Sequence, residues 1–211
     1  EILTERHGPV TVLRLHDPAT MNALTPAMAR ALRTGLDAAV ADGARAIVLA
    51  GGERAFSTGA NLRAAMPEDP TGLDVGETLE TDYNPLMLTV RDLPVPVVSV
   101  VRGAVAGVGA SIALACDVIV AGRGAYFLEA FARIGLVPDG GATWLLTRAV
   151  GRVRAMEMML LAERLPAEQA HDWGLVTRLT EDDAAEETAL ALARALASGP
   201  RRAYALIRRA A

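Results

Sequence analysis

Phe56-Ser57-Thr58-Gly59-Ala60-Asn61-Leu62 and Gly103-Ala104-Val105-Ala106-Gly107-Val108-Gly109-Ala110-Ser111 are two versions of one device. Each follows an apolar run, Ala46–Ala50 in the first case and the Val-rich residues 95–101 in the second. Each has glycine in the turn, which lets the main chain approach a ligand with no Cβ in the way. Each is predicted to open a helix, whose first N–H groups lack intrahelical partners and point outward. Two such donors aimed at one carbonyl oxygen make an oxyanion hole, often the largest single catalytic contribution. The pair therefore points to chemistry through an enolate. The competing reading is that Gly59, Gly107 and Gly109 only permit turns and tight helix packing.

Outward from these segments, apolar runs alternate with helical periodicity along the chain, which predicts an α/β fold. Residues 1–6 and Val10–Leu15 flank His7-Gly8-Pro9 as a hairpin. Thr25 is a predicted N-cap with Pro26 at the first helical position. That helix is expected to run to Ala41 and stop near Gly43. Pro67, Pro70, Gly72 and Gly76 predict a loop over residues 66–76, followed by a helix over 77–92. After the second glycine segment come a helix through Ala115, a strand over 117–121 and a short strand at 126–127. Asp139 is expected to open a helical stretch to Gly151, continued by a helix over 152–163. Helix, strand, helix and helix over 166–171, 175–179, 182–198 and 200–211 complete the reading. The last of these is amphipathic and carries no capping signal, so further helices are expected beyond Ala211.

A chain of 211 residues suits one domain, or one domain plus an appendage, and can bury roughly 70% of its unfolded surface. It is 52% apolar but only 4% aromatic, so Ala, Val and Leu must fill the core. The formal charge of −4 argues against nucleic acid, which calls for a basic face. All 21 basic residues are arginine, so lysine Schiff-base chemistry is excluded. Cys116 is the single cysteine and cannot form an internal disulfide, which points to a reducing compartment, the cytoplasm. No apolar run reaches the roughly 20 residues that span a bilayer, and residues 1–6 do not resemble a secretory signal. The three histidines show no metal-ligand spacing, and no metal is expected.

Four motifs in order carry a resemblance: Met21-Asn22-Ala23-Leu24, the segment from Phe56 to Leu62, Gly103 through Asp117, and Ile134-Gly135-Leu136-Val137-Pro138-Asp139-Gly140-Gly141. Together they resemble the crotonase (enoyl-CoA hydratase/isomerase) superfamily over essentially the whole chain. The resemblance implies a spiral of ββα turns over 1–198, with 199–211 beginning a C-terminal helical region that builds homotrimers or hexamers. It implies an acyl-CoA thioester as substrate, with coenzyme A part of that substrate and no separate cofactor. The N–H groups of Ala60 and Gly109 become the donors to the thioester carbonyl. Ser57, Gly59, Asn61, Leu62, Arg63, Tyr83, Gly107, Phe131 and Pro138 become candidate substrate-binding residues. Adenine is expected near residues 61–64, with phosphate contacts from Arg63, from Arg14 or from chain beyond Ala211. Asn61 stands where the family more often has Asp.

The acid/base group decides the reaction. Family hydratases use two glutamates, and Ser111 and Phe131 occupy their places. Asp139 remains, where isomerase branches of the family carry a carboxylate that shuttles a proton between carbons. The stretches 131–139, 82–86 and 172–175 are similar to the branch that isomerises ring-epoxidised phenylacetyl-CoA in aerobic phenylacetate breakdown. An isomerase acting on that ester, or on a 3-enoyl-CoA, is the leading expectation. An enoyl-CoA hydratase or a catalytically silent acyl-CoA-binding protein are the alternatives. Asp139 also suits a helix N-cap, Glu129 is either in the pocket or solvated on a helix, and Ser111 reads as a small packing residue. Tyr83 and Leu86 line an acyl tunnel or pack in the core, and Trp144, Met156, Met158 and Met159 read as core.

Overall fold

A computed structural model describes residues 1–62 and 75–211. Arg63 and most of the loop expected over 66–76 lie outside the described residues. The hairpin forms as expected: β1 (Ile2–His7) and β2 (Val10–Leu15) pair antiparallel from Ile2 opposite Leu15 to His7 opposite Val10. Next comes α1 (Pro26–Ala41), where Thr25 accepts a hydrogen bond from Met28 N–H and Met28, Ala29, Leu32 and Leu36 face the core.

The rest of the sheet structure repeats one unit. β3 (Ala46–Ala50) is followed by the short β4 (Ala55–Ser57), β5 (Val97–Val101) by β6 (Ala104–Ala106), and β7 (Val118–Gly122) by β8 (Tyr126–Leu128). The longer strand of each pair joins one sheet, in the order β1-β2-β3-β5-β7-β10, with β10 at Arg178–Thr180. The shorter joins a second sheet, β4-β6-β8-β9, with β9 at Leu165–Pro166. Within each sheet the repeated strands pair parallel. The chain therefore winds forward one strand position per turn in both sheets at once, which is the ββα spiral.

Between the strands lie α2 (Val75–Thr78), a π-helical turn (Leu79–Tyr83), α3 (Asn84–Asp92) and α4 (Val108–Leu114). After β8 come a 3-10 turn (Ala130–Ile134), α5 (Ala142–Val150), α6 (Arg152–Leu161), α7 (Ala167–Asp172), α8 (Ala185–Ser198) and α9 (Arg201–Ala210). Four corrections to the expected elements follow. The helix expected over 77–92 is divided by the π turn. The three-residue strands β4 and β6 lie inside the two glycine segments, where the sequence predicts turns that open helices. Residue 166 belongs to β9 and not to a helix. The strand expected over 175–179 starts at Arg178.

Every residue of β3 and β5 is buried, as expected of parallel strands covered on both faces. On one face, α8 lies against Val10, Val12, Val48, Val98 and Val100 through Ala185, Ala189, Ala193 and Ala197, spaced one turn apart. On the other, Leu13, Leu49, Val97 and Val101 join the larger core with α1, Phe56 and Phe127. Small side chains at the α8 contact explain how a chain so poor in aromatics fills its interior. Trp144, expected in the core, is 56% exposed, with the Arg148 guanidinium 4.7 Å above its ring. Met158 and Met159 are buried as expected, and Leu86 belongs to the core and not to a tunnel.

Candidate active site

Three loops leave the carboxyl ends of three adjacent parallel strands. Thr58, Gly59 and Ala60 follow β4, Gly107, Val108 and Gly109 follow β6, and Glu129, Ala130 and Phe131 follow β8. The carboxyl edge of parallel strands is where open α/β sheets bind ligands. A cavity of about 370 Å³ lies there. Thr58, Gly59, Ala60 and Leu62 line it from the first loop, and Ala106, Gly107 and Val108 from the second. Ala130, Phe131 and Ile134 line it from the third, with Leu136 and Asp139 just beyond. Thr78, Leu79 and Tyr83 close it from the other side.

The two glycine turns are in direct contact. A Cβ on Gly109 would lie 2.6 Å from the Ser57 Cβ, and one on Gly59 would lie 3.4 Å from the Gly107 Cα. No side chain larger than hydrogen fits at Gly109, so the absence of a Cβ is what brings the turns together. Gly59 also holds φ at 92°, where other residues are strained.

Each turn directs one amide away from its own scaffold. A parallel bridge joins Leu24 to Ala60. It is made by Leu24 N–H donating to Gly59 C=O at 2.7 Å and by Asn61 N–H donating to Leu24 C=O at 2.8 Å. That pattern leaves the Ala60 N–H on the opposite side from Leu24. Gly109 sits in the first turn of α4, where an N–H has no partner four residues back.

Ser57 is fully buried and braces its turn. Its hydroxyl donates to Asn22 C=O at 2.8 Å and accepts from Gly59 N–H at 3.2 Å. Asn22 holds φ at 57° and donates through its side chain to Ala55 and Phe56 carbonyls, which accounts for its place ahead of Ala23-Leu24. Ser57, Asn61 and Pro138 adjoin residues that line the cavity without lining it themselves, and Gly109 directly follows the lining Val108. Leu62 is 47% exposed at the cavity mouth. Arg14 is committed elsewhere, to Glu186 and the Gly51 carbonyl.

Asp139 lines the cavity and is not the helix cap. Gly141 caps α5, with φ at 81° and no side-chain bond. The Asp139 carbonyl accepts from Ala142 N–H at 3.0 Å, while its carboxyl Oδ1 is buried and without a hydrogen-bond partner among the described residues. Burial pushes its pKa up to about 6. Ser111 does more than pack. Its hydroxyl donates to the Asp139 carbonyl at 3.0 Å, shared with the Gly107 carbonyl at 3.4 Å, and so ties the second glycine turn to the Asp139 loop. A Cβ on Gly140 would fall 2.7 Å from the Ser111 Cβ, so only glycine lets the loop that carries Asp139 pass this close to Ser111.

Tyr83 donates to Leu24 C=O at 2.8 Å, beside Ala60. Burial, with the Asp139 and Asp82 charges adding to it, pushes its phenol up to about 12. Of the two positions open to Glu129, the structure rules out the solvated one: it is 1% exposed, with both carboxyl oxygens unpartnered among the described residues. Burial first, and the Asp139 charge second, push its pKa up to about 8. The sequence signal was faint: a lone carboxylate one residue past a three-residue strand.

The family model for enoyl-CoA hydratase/isomerase matches residues 5–211. The chain belongs to the enoyl-CoA hydratase/isomerase family. A Rhodobacter capsulatus protein named "Probable enoyl-CoA hydratase" is 43% identical over 95% of this chain and 77% of its own length. The 1,2-epoxyphenylacetyl-CoA isomerase of Escherichia coli is 40% identical over 99% of this chain and 80% of that protein. Among solved structures, an enoyl-CoA hydratase from Mycobacterium avium subsp. paratuberculosis is 38% identical, with a TM-score of 0.87 over 99% of this chain and 80% of that one. No helix among the described residues is long and apolar enough to cross a membrane.

Proposed function

We propose that this member of the family is an acyl-CoA isomerase that moves a proton within a bound thioester. The Ala60 and Gly109 N–H groups hold the thioester oxygen. The Asp139 carboxylate removes a proton from the α-carbon, the C–H electron pair becomes the enolate double bond, and negative charge gathers on the held oxygen. Asp139, now neutral, returns the proton to another carbon of the acyl group, which restores the thioester carbonyl. The observation that carries this reading is one half-buried carboxyl, its Oδ1 without a partner among the described residues, in the same cavity as two glycine turns packed against each other. Phe131, Tyr83, Leu136 and Ile134 make an apolar wall suited to the acyl chain. Ring-epoxidised phenylacetyl-CoA is the favoured substrate, supported by the likeness to the Escherichia coli isomerase, and a 3-enoyl-CoA is second.

Asp139→Asn, checked for folding by circular dichroism and assayed on both esters, is expected to lose about 10²–10⁴-fold in kcat. Full activity in that variant removes Asp139 from the mechanism. Glu129 favours one second reading, hydration, because it supplies a second carboxyl near Asp139. Incorporation of heavy oxygen from water into crotonyl-CoA at a rate matching isomerisation would establish that reading.

A further inference from the structure

We propose that Glu129 is a positioning residue for Asp139: a second carboxyl behind the cavity wall that holds the site's resident proton and so keeps Asp139 free to accept the substrate's. This rests on the reading of Asp139 as the proton carrier. Three buried side-chain oxygens lack a hydrogen-bond partner among the described residues: both of Glu129 and Oδ1 of Asp139. Orphaned buried oxygens are rare and call for an explanation. Here they gather in one place. Glu129 directly follows β8, whose last carbonyl, on Leu128, accepts from Gly107 N–H in the second glycine turn at 3.0 Å. The next two residues, Ala130 and Phe131, line the cavity with Asp139.

A carboxyl taken out of water with no partner strongly disfavours its charged form. Two of them in one wall disfavour double ionisation further, and their protons come off in two steps that belong to the pair. Asp139 is the more exposed and ionises first. Its charge then adds to burial in holding the proton on Glu129. Among the described residues Asp139 is the one charged group that bears on Glu129. Facing Asp139 from the π-helical turn is Tyr83, whose phenol stays neutral, and from α4 the Ser111 hydroxyl, which is spent on backbone carbonyls. No arginine among the described residues pairs with either carboxyl. Near neutral pH the pair therefore holds one proton, on Glu129. At higher pH Glu129 ionises as well. The enolate would then form beside a charged Glu129, and turnover falls.

Two measurements test this. In the first, the Glu129 side-chain carboxyl carbon is labelled with carbon-13 and titrated by NMR in the wild type and in Asp139→Asn. Glu129 should titrate near pH 8 in the wild type and at lower pH in Asp139→Asn. Titration in the ordinary carboxylate range, or a value that Asp139→Asn leaves in place, overturns the proposal. In the second, kcat/KM of the wild type should rise with the ionisation of Asp139 and fall with that of Glu129, and Glu129→Gln should keep the rise and lose the fall. Retention of the alkaline fall in a folded Glu129→Gln overturns it, and if that variant does not fold the NMR titration decides alone. A fully active Asp139→Asn whose Glu129 still shifts would end the base assignment and leave the coupling standing. An inactive Asp139→Asn with Glu129 unmoved would do the reverse.

Discussion

At the residue scale the site depends on a missing atom. Gly109 has no room for a Cβ, because Ser57 occupies the place one would take. Gly109→Ala must push the second turn away from the first. We expect a stability loss of about 1–3 kcal/mol from overpacking and a fall in kcat/KM of about 10²–10³-fold, as when one oxyanion donor is removed. Thermal melts and steady-state kinetics on one preparation check both, and an alanine variant unchanged in both would separate the turns from the chemistry. Such glycines are legible in sequence, because Gly recurs after each apolar run. Glu129 was not legible. Its burial follows from β8 ending at Leu128 and from the 3-10 turn that begins at Ala130, and no local pattern announces either. Asp139 is legible as a candidate, and only the alternative reading of it as a cap is corrected. Asp-Gly-Gly has the composition of a cap, whereas positive φ at both Gly140 and Gly141 delays the helix to Ala142.

At the element scale, strands long and apolar enough to be buried on both faces, β3, β5 and β7, could be found from composition. Their three-residue companions could not, since β4 and β6 sit inside glycine-bearing segments and owe their strand state to each other. α9 shows a different kind of dependence. None of its residues is buried except in part. Arg208 attaches it, donating to Asp117 at 2.8 Å and to the Val90 and Leu93 carbonyls. Asp117 in turn accepts from Val97 N–H at 2.7 Å, at the start of β5. Arg208→Ala leaves these acceptors without their donor, at a cost of about 1–3 kcal/mol. Hydrogen exchange in that variant should show α9 amides losing protection while β5 and β7 keep theirs. Equal loss throughout would mean that α9 is integral to the core.

At the scale of the whole molecule, proton linkage sets a direction for stability against pH. Glu129 and Asp139 both have folded-state pKa values raised above the usual 4.5 and 3.8, to about 8 and about 6. Each therefore binds a proton in the folded chain at pH values where the unfolded chain has released it. Their contribution is complete below about pH 4 and drains away as pH rises, over roughly 4–6 for Asp139 and 4.5–8 for Glu129, by at most about 1.4 kcal/mol per pH unit for each group. Asp139, being partly exposed, delivers less. Glu186 works the other way. Its pKa is lowered, through its bond to Arg14 first, so its contribution is lost on acidification. Melting temperature should thus peak in the mildly acidic range and decline toward pH 8. Glu129→Gln should flatten that decline, and a variant with the wild-type slope would show that Glu129 titrates alike in the folded and the unfolded chain.

Because the three loops hang from neighbouring strands of one small sheet, grip and reactivity are housed separately. On the proposed mechanism the first two loops supply the amides that hold the carbonyl, and these loops are wedged together with no slack. The third carries Glu129 and Phe131, and the stretch running on from it reaches Asp139. A lineage could rewrite that last stretch, exchanging one acid for another or dropping one altogether, and inherit an intact grasp of the thioester each time. Diversity of outcome on a constant clasp is what this layout makes inexpensive.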